Sequence, residues 1–164
     1  MNLDQLLLRQ YQSGEKLPVS IKTSPLAEAL GTRIEKMDAI APRIELSFAV
    51  GEHFVQAEDV VHGGAVATML DSAMAYAALL AIPDGLSVAT INMNISCIRS
   101  ARPGHYRAVA EIERCGKSVV FARAQLLDRE DKVVATAVSS LAIVAPRRNR
   151  AHDSSDGAEG RAAV

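Results

Sequence analysis

One long apolar segment near the middle of the chain, Gly63 to Pro83, constrains the fold more than any other feature. Residues 65–82 have the composition of a helix, and Pro83 begins the turn that ends it. Asp71 is the only side chain in this segment that is charged at neutral pH. A helix that is apolar on all sides is a buried helix, so the rest of the chain must wrap around it.

Segments with strand patterns flank this helix on both sides. Ile44, Leu46 and Phe48 alternate with less apolar residues, and a weaker strand with Ile34, Met37 and Ile40 precedes them. Four further runs follow the helix, separated by short turns that predict antiparallel neighbours: 86–98, 105–115, 118–128 and 132–144. This order of a strand pair, one helix and a four-stranded meander predicts a hotdog-like α+β fold, an antiparallel curved sheet wrapped around one long central helix.

The chain divides into three predicted parts. Residues 1–31 form an N-terminal helical extension, with helices at 2–12 and 26–30. Residues 32–145 form the main domain. Residues 146–164 contain almost no large apolar side chain, so we expect a disordered tail that cannot offset its ordering entropy.

Composition narrows the class of protein. The chain has 164 residues and a formal net charge of −1, which argues against a dedicated nucleic-acid binder. Its two cysteines lack zinc-site spacing, and the first residues lack the order of a signal peptide. The longest apolar segment is rich in Ala and interrupted by Asp71, which argues against a membrane span. We therefore predict a soluble, cytoplasmic protein with no metal and no cofactor.

Asp71 is the candidate catalytic group. Burying an unpaired carboxylate costs several kcal/mol or raises its pKa, so such a residue is either functional or paired. The alternative interpretation is a structural Asp on an exposed strip, or one hydrogen-bonded to nearby Thr68 or Ser72.

The pair Gly63-Gly64 lies where the helix begins. Unpaired N–H groups at a helix N-terminus can hold a carbonyl oxygen that becomes an oxyanion, although glycine-rich turns into helices are common. Gly64 and Asp71 are separated by roughly 10 Å of helix rise. If both act on one substrate they must come from different chains, which predicts a two-fold dimer with antiparallel central helices and two composite sites.

The stretch from Val61 to Ser72, VHGGAVATMLDS, resembles the HGG-motif helix of PaaI-type hotdog thioesterases. The similarity continues through 87–96 and the turns at 102–104 and 115–118 to the last strand, so that it covers roughly residues 32–144. This resemblance implies hydrolysis of acyl-CoA thioesters to a free acid and CoA.

The resemblance also implies roles for single residues. Asp71 takes the position of the catalytic carboxylate, as general base or nucleophile, and Gly64 that of the oxyanion donor, with Gly63 beside it. Gln56 matches the position near the thioester or the water, His62 fixes the turn, and Thr90 matches a Ser or Thr position.

Two groups of residues bear on how the site is built. Strand alternation predicts that Ile91, Met93, Ile95 and Cys97 face the helix, and Thr90 lies out of phase with them. Cations for the CoA phosphates are expected at turns, where solvated surface charge is an equally good interpretation: Arg99, Arg102 and Lys117. Self-association as a dimer, or as a tetramer built from two dimers, is expected.

Two competing functions stay open. A hotdog hydratase uses a different arrangement of a carboxylate and a His on the central helix. Five residues after Asp71 the chain has Tyr76 and not His, which counts against a hydratase. A non-catalytic acyl-CoA-binding module on the same fold is the other alternative, and the presence of both Asp71 and the glycine pair favours catalysis over it.

Overall fold

A computed structural model describes residues 3–12 and 16–145 of the chain. These residues form three α-helices: α1 (Leu3–Gln12), α2 (Pro25–Ala29) and α3 (Gly63–Ala81). The predicted tail, 146–164, lies outside the described residues. Ser24 caps the N-terminus of α2, because its side chain accepts a hydrogen bond from the N–H of Ala27 at 3.2 Å.

Seven strands form one antiparallel sheet in the order β1-β2-β3-β5-β6-β7-β4. Their bounds are β1 (Val19–Ser20), β2 (Arg33–Asp38), β3 (Arg43–Val50), β4 (Ser87–Cys97), β5 (Gly104–Cys115), β6 (Val119–Leu127) and β7 (Val133–Val144). The predicted curved antiparallel sheet around one helix is therefore confirmed. Ile40 is an exception, because it lies outside β2 and its side chain is 98% exposed.

The predicted four-stranded meander is wrong at its first strand. β5, β6 and β7 are consecutive neighbours, but β4 pairs with β7 and not with β5. The reason lies in the connection 98–103, which is not a hairpin turn: its Ala101 carbonyl accepts a hydrogen bond from the N–H of Val61 at 2.8 Å. The connection is thus tied to the start of α3, and β4 becomes an edge strand of eleven residues, none of them charged.

Helix α3 lies against the sheet and fills the core. Its large side chains Met69, Leu70 and Met74 are fully buried. Within the described part of the chain, α3 is the one helix with the length and composition to cross a membrane, and 61% of its apolar window is buried inside the protein. That burial is what a core helix shows.

One stripe of α3 is left uncovered by the chain's own sheet. Gly64 is exposed, and Ala67, Thr68, Asp71 and Ala75 are half-buried, whereas most of the helix is buried. These positions recur every three to four residues, which places them on one face. None of these five residues carries a large side chain.

Candidate active site

Asp71 is paired through its side chain with Thr90. The Thr90 hydroxyl donates a hydrogen bond to Oδ1 of Asp71 at 2.7 Å, joining α3 to the edge strand β4. Thr68 does not hold Asp71, because its hydroxyl donates instead to the carbonyl of Gly64 at 2.8 Å. Asp71 is half-buried and therefore accessible, with Oδ2 left for another partner.

An irregularity in β4 explains why Thr90 faces the helix. Opposite β7, Thr90 pairs with Leu141 and Asn92 with Ser140, so Ile91 is an extra residue in the ladder. The bulge shifts the alternation by one position, which turns Thr90 toward α3 and leaves Ile91 60% exposed. The predicted inward-facing set was therefore wrong at Ile91.

The bulge leaves the rest of the predicted set in part correct. Met93 and Ile95 pack against the core as expected, whereas Cys97 is exposed at the end of the edge strand. The carbonyl of Asn92 is satisfied by the hydroxyl of Ser139, which donates to it at 2.8 Å. A buried side chain thus stabilises the bulge that positions Thr90.

The N-terminus of α3 is capped by a histidine. Nδ1 of His62 accepts a hydrogen bond from the N–H of Gly64 at 3.0 Å. The N–H of Gly63 has no acceptor among residues 3–12 and 16–145, and a Cβ added at Gly63 would meet nothing within 4 Å. The open backbone donor at this helix end is therefore that of Gly63, since the N–H of Gly64 is already engaged.

This cap gives a prediction for stability. Replacing His62 with Ala removes the acceptor for the Gly64 N–H and lowers the free energy of unfolding by about 1 kcal/mol in urea titration. Asn is a strong N-cap residue, so His62→Asn keeps most of that stability. His53→Ala, in the exposed loop before the helix, is the control and leaves it unchanged. Equal losses for His62→Ala and His62→Asn contradict a capping role.

A cavity opens beside this helix end. It has a volume of about 320 Å³, and three predicted site residues line it: Gln56, Gly63 and Arg99. The loop before α3 is held in place there, because the N–H of His62 donates to the carbonyl of Phe54 at 2.7 Å. Arg99 has no ion-pair partner in the part of the chain that the structure describes, so its charge is available to a ligand.

The candidate residues therefore form two groups within one chain. Asp71 and Thr90 do not line the cavity of Gln56, Gly63 and Arg99. Eight residues separate Gly63 from Asp71, which corresponds to roughly 12 Å of helix rise. A single chain thus holds the carboxylate and the open backbone donor too far apart for one reacting carbon.

The other two predicted cations lie in different places. Arg102 is paired with Asp59 at 3.5 Å, and both side chains are about two-thirds exposed. Lys117 lies in the β5–β6 turn, next to Cys115, whose thiol lies 3.7 Å from the carbonyl of Ala81 at the C-terminal end of α3. One chain therefore does not bring Lys117 together with Arg99, which lies near the N-terminal end of that helix.

Comparison with known proteins identifies the same core. The family profile described as Thioesterase superfamily matches residues 58–135, which include α3 and most of the sheet after it. A candidate esterase of Halobacterium salinarum is 38% identical over 76 residues, covering 45% of this chain and 50% of that protein. This match thus spans half the length of that curated relative.

Solved structures extend the similarity to most of the chain. A candidate thioesterase of Ralstonia eutropha JMP134, a phenylacetic acid degradation-related protein, is 30% identical with a TM-score of 0.70, covering 82% of this chain and 97% of its own. A thioesterase family protein of Silicibacter pomeroyi is 25% identical with a TM-score of 0.69, covering 75% and 91%.

The PaaI protein of E. coli shares the fold. Its TM-score is 0.69 at 19% identity, and the match covers 87% of this chain and 95% of that one. The Ralstonia protein is covered almost completely at 30% identity, and the family profile falls on the helix that carries Asp71. This chain therefore belongs to the thioesterase superfamily, with the hotdog fold that it shares with PaaI.

Proposed function

We propose that this protein hydrolyses acyl-CoA thioesters to a free acid and CoA. The contact between Asp71 and Thr90 carries the proposal, because it holds an accessible carboxylate on an otherwise apolar helix. Family membership supports thioester hydrolysis in general, and the acyl-CoA substrate is the more specific inference. The cavity with Arg99 supports it, since the phosphates of CoA need cations.

Each group has a defined part in the proposed reaction. Asp71 accepts a proton from water, whose oxygen bonds to the carbonyl carbon, or it attacks that carbon itself. The carbonyl oxygen becomes an oxyanion that accepts a hydrogen bond from the Gly63 N–H. On the general-base route the C–S bond then breaks, and the proton held by Asp71 passes to the CoA thiolate. On the nucleophilic route the C–S bond breaks to release the CoA thiolate and leaves an anhydride between Asp71 and the acyl group. Water hydrolyses this anhydride to the free acid and the Asp71 carboxylate, and the proton from that water goes to the thiolate. Thr90 is a positioning residue, because it fixes Oδ1 and leaves Oδ2 to react.

The two groups act together only if they come from different chains. An antiparallel pair of α3 helices related by a two-fold axis near Ala67 places Asp71 of one chain beside Gly63 of the other. The uncovered stripe of α3 supports this arrangement, because its small side chains allow two helices to approach closely. Each dimer then contains two identical composite sites, and a tetramer contains four.

Mixing two inactive variants tests the composite site. Asp71→Asn and Gly63→Pro proteins are unfolded together, refolded and assayed by thiol release. Half of the dimers are mixed, and each mixed dimer keeps one intact site of two, so about a quarter of wild-type activity returns. Each variant refolded alone is the control and stays inactive. If the mixture is as inactive as its components, carboxylate and donor act within one chain.

The function itself is tested by thiol release over a panel of acyl-CoA thioesters of different acyl groups. Release of CoA and free acid supports the proposal. Binding of acyl-CoA without thiol release identifies a non-catalytic binding module instead. A hydratase is disfavoured because Tyr76 occupies the position, five residues after Asp71, where a His would be expected. The hydroxyl of Tyr76 donates to Asp4 at 2.5 Å and is not open to a substrate.

A further inference from the structure

The N-terminal helix α1 docks on the C-terminal half of α3 and on the loop that follows it. The side chain of Gln5 is fully buried and pairs with this loop: its Nε2 donates to the carbonyl of Pro83 at 3.1 Å, and its Oε1 accepts from the N–H of Gly85 at 3.0 Å. Nε of Arg9 lies 2.6 Å from the carboxylate of Asp84. α1 is therefore fixed to the protein by polar contacts along its length.

The first turn of α1 is fixed by a cluster of three hydrogen-bonded side chains, of which Tyr76 lies on α3 and is buried. Tyr76 is 8% exposed, and its hydroxyl donates to Asp4 at 2.5 Å. The hydroxyl of Thr23 also donates to Asp4 and lies 3.3 Å from the Tyr76 oxygen. Burial, followed by the bond to Asp4, raises the pKa of Tyr76, so the phenol stays protonated and the contact persists at physiological pH. None of these three residues has a part in the proposed hydrolysis.

The docking of α1 ends the uncovered stripe of α3. The last half-buried position on this line is Ala75, one turn beyond Asp71. Leu79, one turn beyond Ala75, is only 4% exposed, and Ile82, directly after the helix, is 2% exposed. The change occurs in the half of α3 that α1 contacts through Asp4 and Tyr76. Between Asp71 and Ala75 the stripe offers four residues, or about 6 Å of helix rise.

We propose that the first turn of α1, held by the Asp4–Tyr76–Thr23 cluster, is the end wall of the acyl pocket and limits the length of the acyl group. This inference rests on the proposed function, because it places the thioester carbon at Asp71 and directs the acyl group along the stripe toward α1. About 6 Å of stripe accommodates a short acyl chain or a single aromatic ring. A longer chain must displace a helix that buried polar contacts hold.

The apolar surface of α1 fits this role. Leu3 precedes Asp4 directly and its side chain is 66% exposed, while Leu6, three residues further along the helix, is 43% exposed. The exposed leucines at the start of α1 therefore offer apolar side chains to an acyl group that reaches this helix. Contact with them removes apolar surface from water and favours acyl groups that fill the pocket.

Measurement of kcat/KM from acetyl-CoA to dodecanoyl-CoA, with phenylacetyl-CoA included, tests the wall. We expect wild-type values to fall at least about tenfold once the chain exceeds the pocket, as overpacking predicts. Tyr76→Ala opens space under the first turn of α1, and Tyr76→Phe removes only the bond to Asp4. Both variants raise the octanoyl-to-butanoyl ratio of kcat/KM, by about tenfold for Tyr76→Ala, and keep butanoyl hydrolysis.

Arg9→Gln is the matched control, because it breaks the contact of α1 with Asp84 at the far end of the helix and leaves the chain-length profile unchanged. If Tyr76→Ala does not fold, Tyr76→Phe decides alone. A wild-type enzyme that hydrolyses dodecanoyl-CoA as fast as butanoyl-CoA overturns the wall, as does a profile that Tyr76→Phe leaves unaltered. Failure of the proposed function is a different result, the absence of thiol release with every substrate.

Discussion

Replacing Asp71 with Asn is expected to lower kcat for acyl-CoA hydrolysis by about 10²- to 10⁴-fold, the usual contribution of a positioned general base. The amide keeps the shape of the carboxylate and an oxygen that still accepts from the Thr90 hydroxyl. It has no negative charge and can neither take a proton from water nor attack the carbonyl carbon. Thiol release under saturating substrate measures the change.

Stability measurements separate a loss of catalysis in Asp71→Asn from a loss of folded structure. Asp71 is half-buried and its contact with Thr90 survives in the Asn variant, so the unfolding midpoint in urea should stay close to that of the wild type. Ser72→Ala is the matched control, since Ser72 is the half-buried neighbour of Asp71 on the same helix. Wild-type turnover in Asp71→Asn would refute the catalytic role.

Gly63→Pro is expected to reduce kcat by about 10²- to 10³-fold. Proline lacks the backbone N–H, and the loss of one oxyanion donor costs that much in other hydrolases. Proline is otherwise well suited to the first position of a helix, where no backbone bond is lost. The ψ of His62 is 135°, a conformation that a following proline accepts.

Gly63→Ala is the matched control for this prediction. It keeps the N–H and adds a methyl group with nothing within 4 Å, so activity should stay close to wild type. Thiol-release kinetics of the wild type, Gly63→Ala and Gly63→Pro separate the effect of losing the backbone N–H from the effect of adding side-chain bulk. Equal losses in the Ala and Pro variants would show that bulk at Gly63, and not its N–H, matters for the reaction.

The sequence was sufficient to predict the central helix and most strands. An apolar segment interrupted by one Asp predicted α3, whose observed bounds, Gly63–Ala81, differ by two residues or less from the predicted range. Alternation in Ile44, Leu46 and Phe48 predicted β3, where all three side chains are buried. These two patterns predict their elements correctly because each reflects which side chains of a single helix or strand are buried.

Two features of the site were not readable in the sequence. The bulge at Ile91 depends on the register between β4 and β7, and no residue type in β4 marks it. The pairing of β4 with β7 depends on closing the sheet around α3, which a turn between neighbouring runs cannot reveal. The hydrogen bond from the Gly64 N–H to His62 could be predicted in part, since the resemblance already implied that His62 fixes the turn.

The uncharged edge strand β4 makes the isolated monomer prone to aggregation. Eleven residues without a Lys or Pro present unpaired backbone groups to any passing strand, and such edges nucleate aggregation. An assembly that covers this edge protects it only while the concentration keeps the subunits associated. The melting temperature should then rise with protein concentration, and dilution should lead to precipitation on storage.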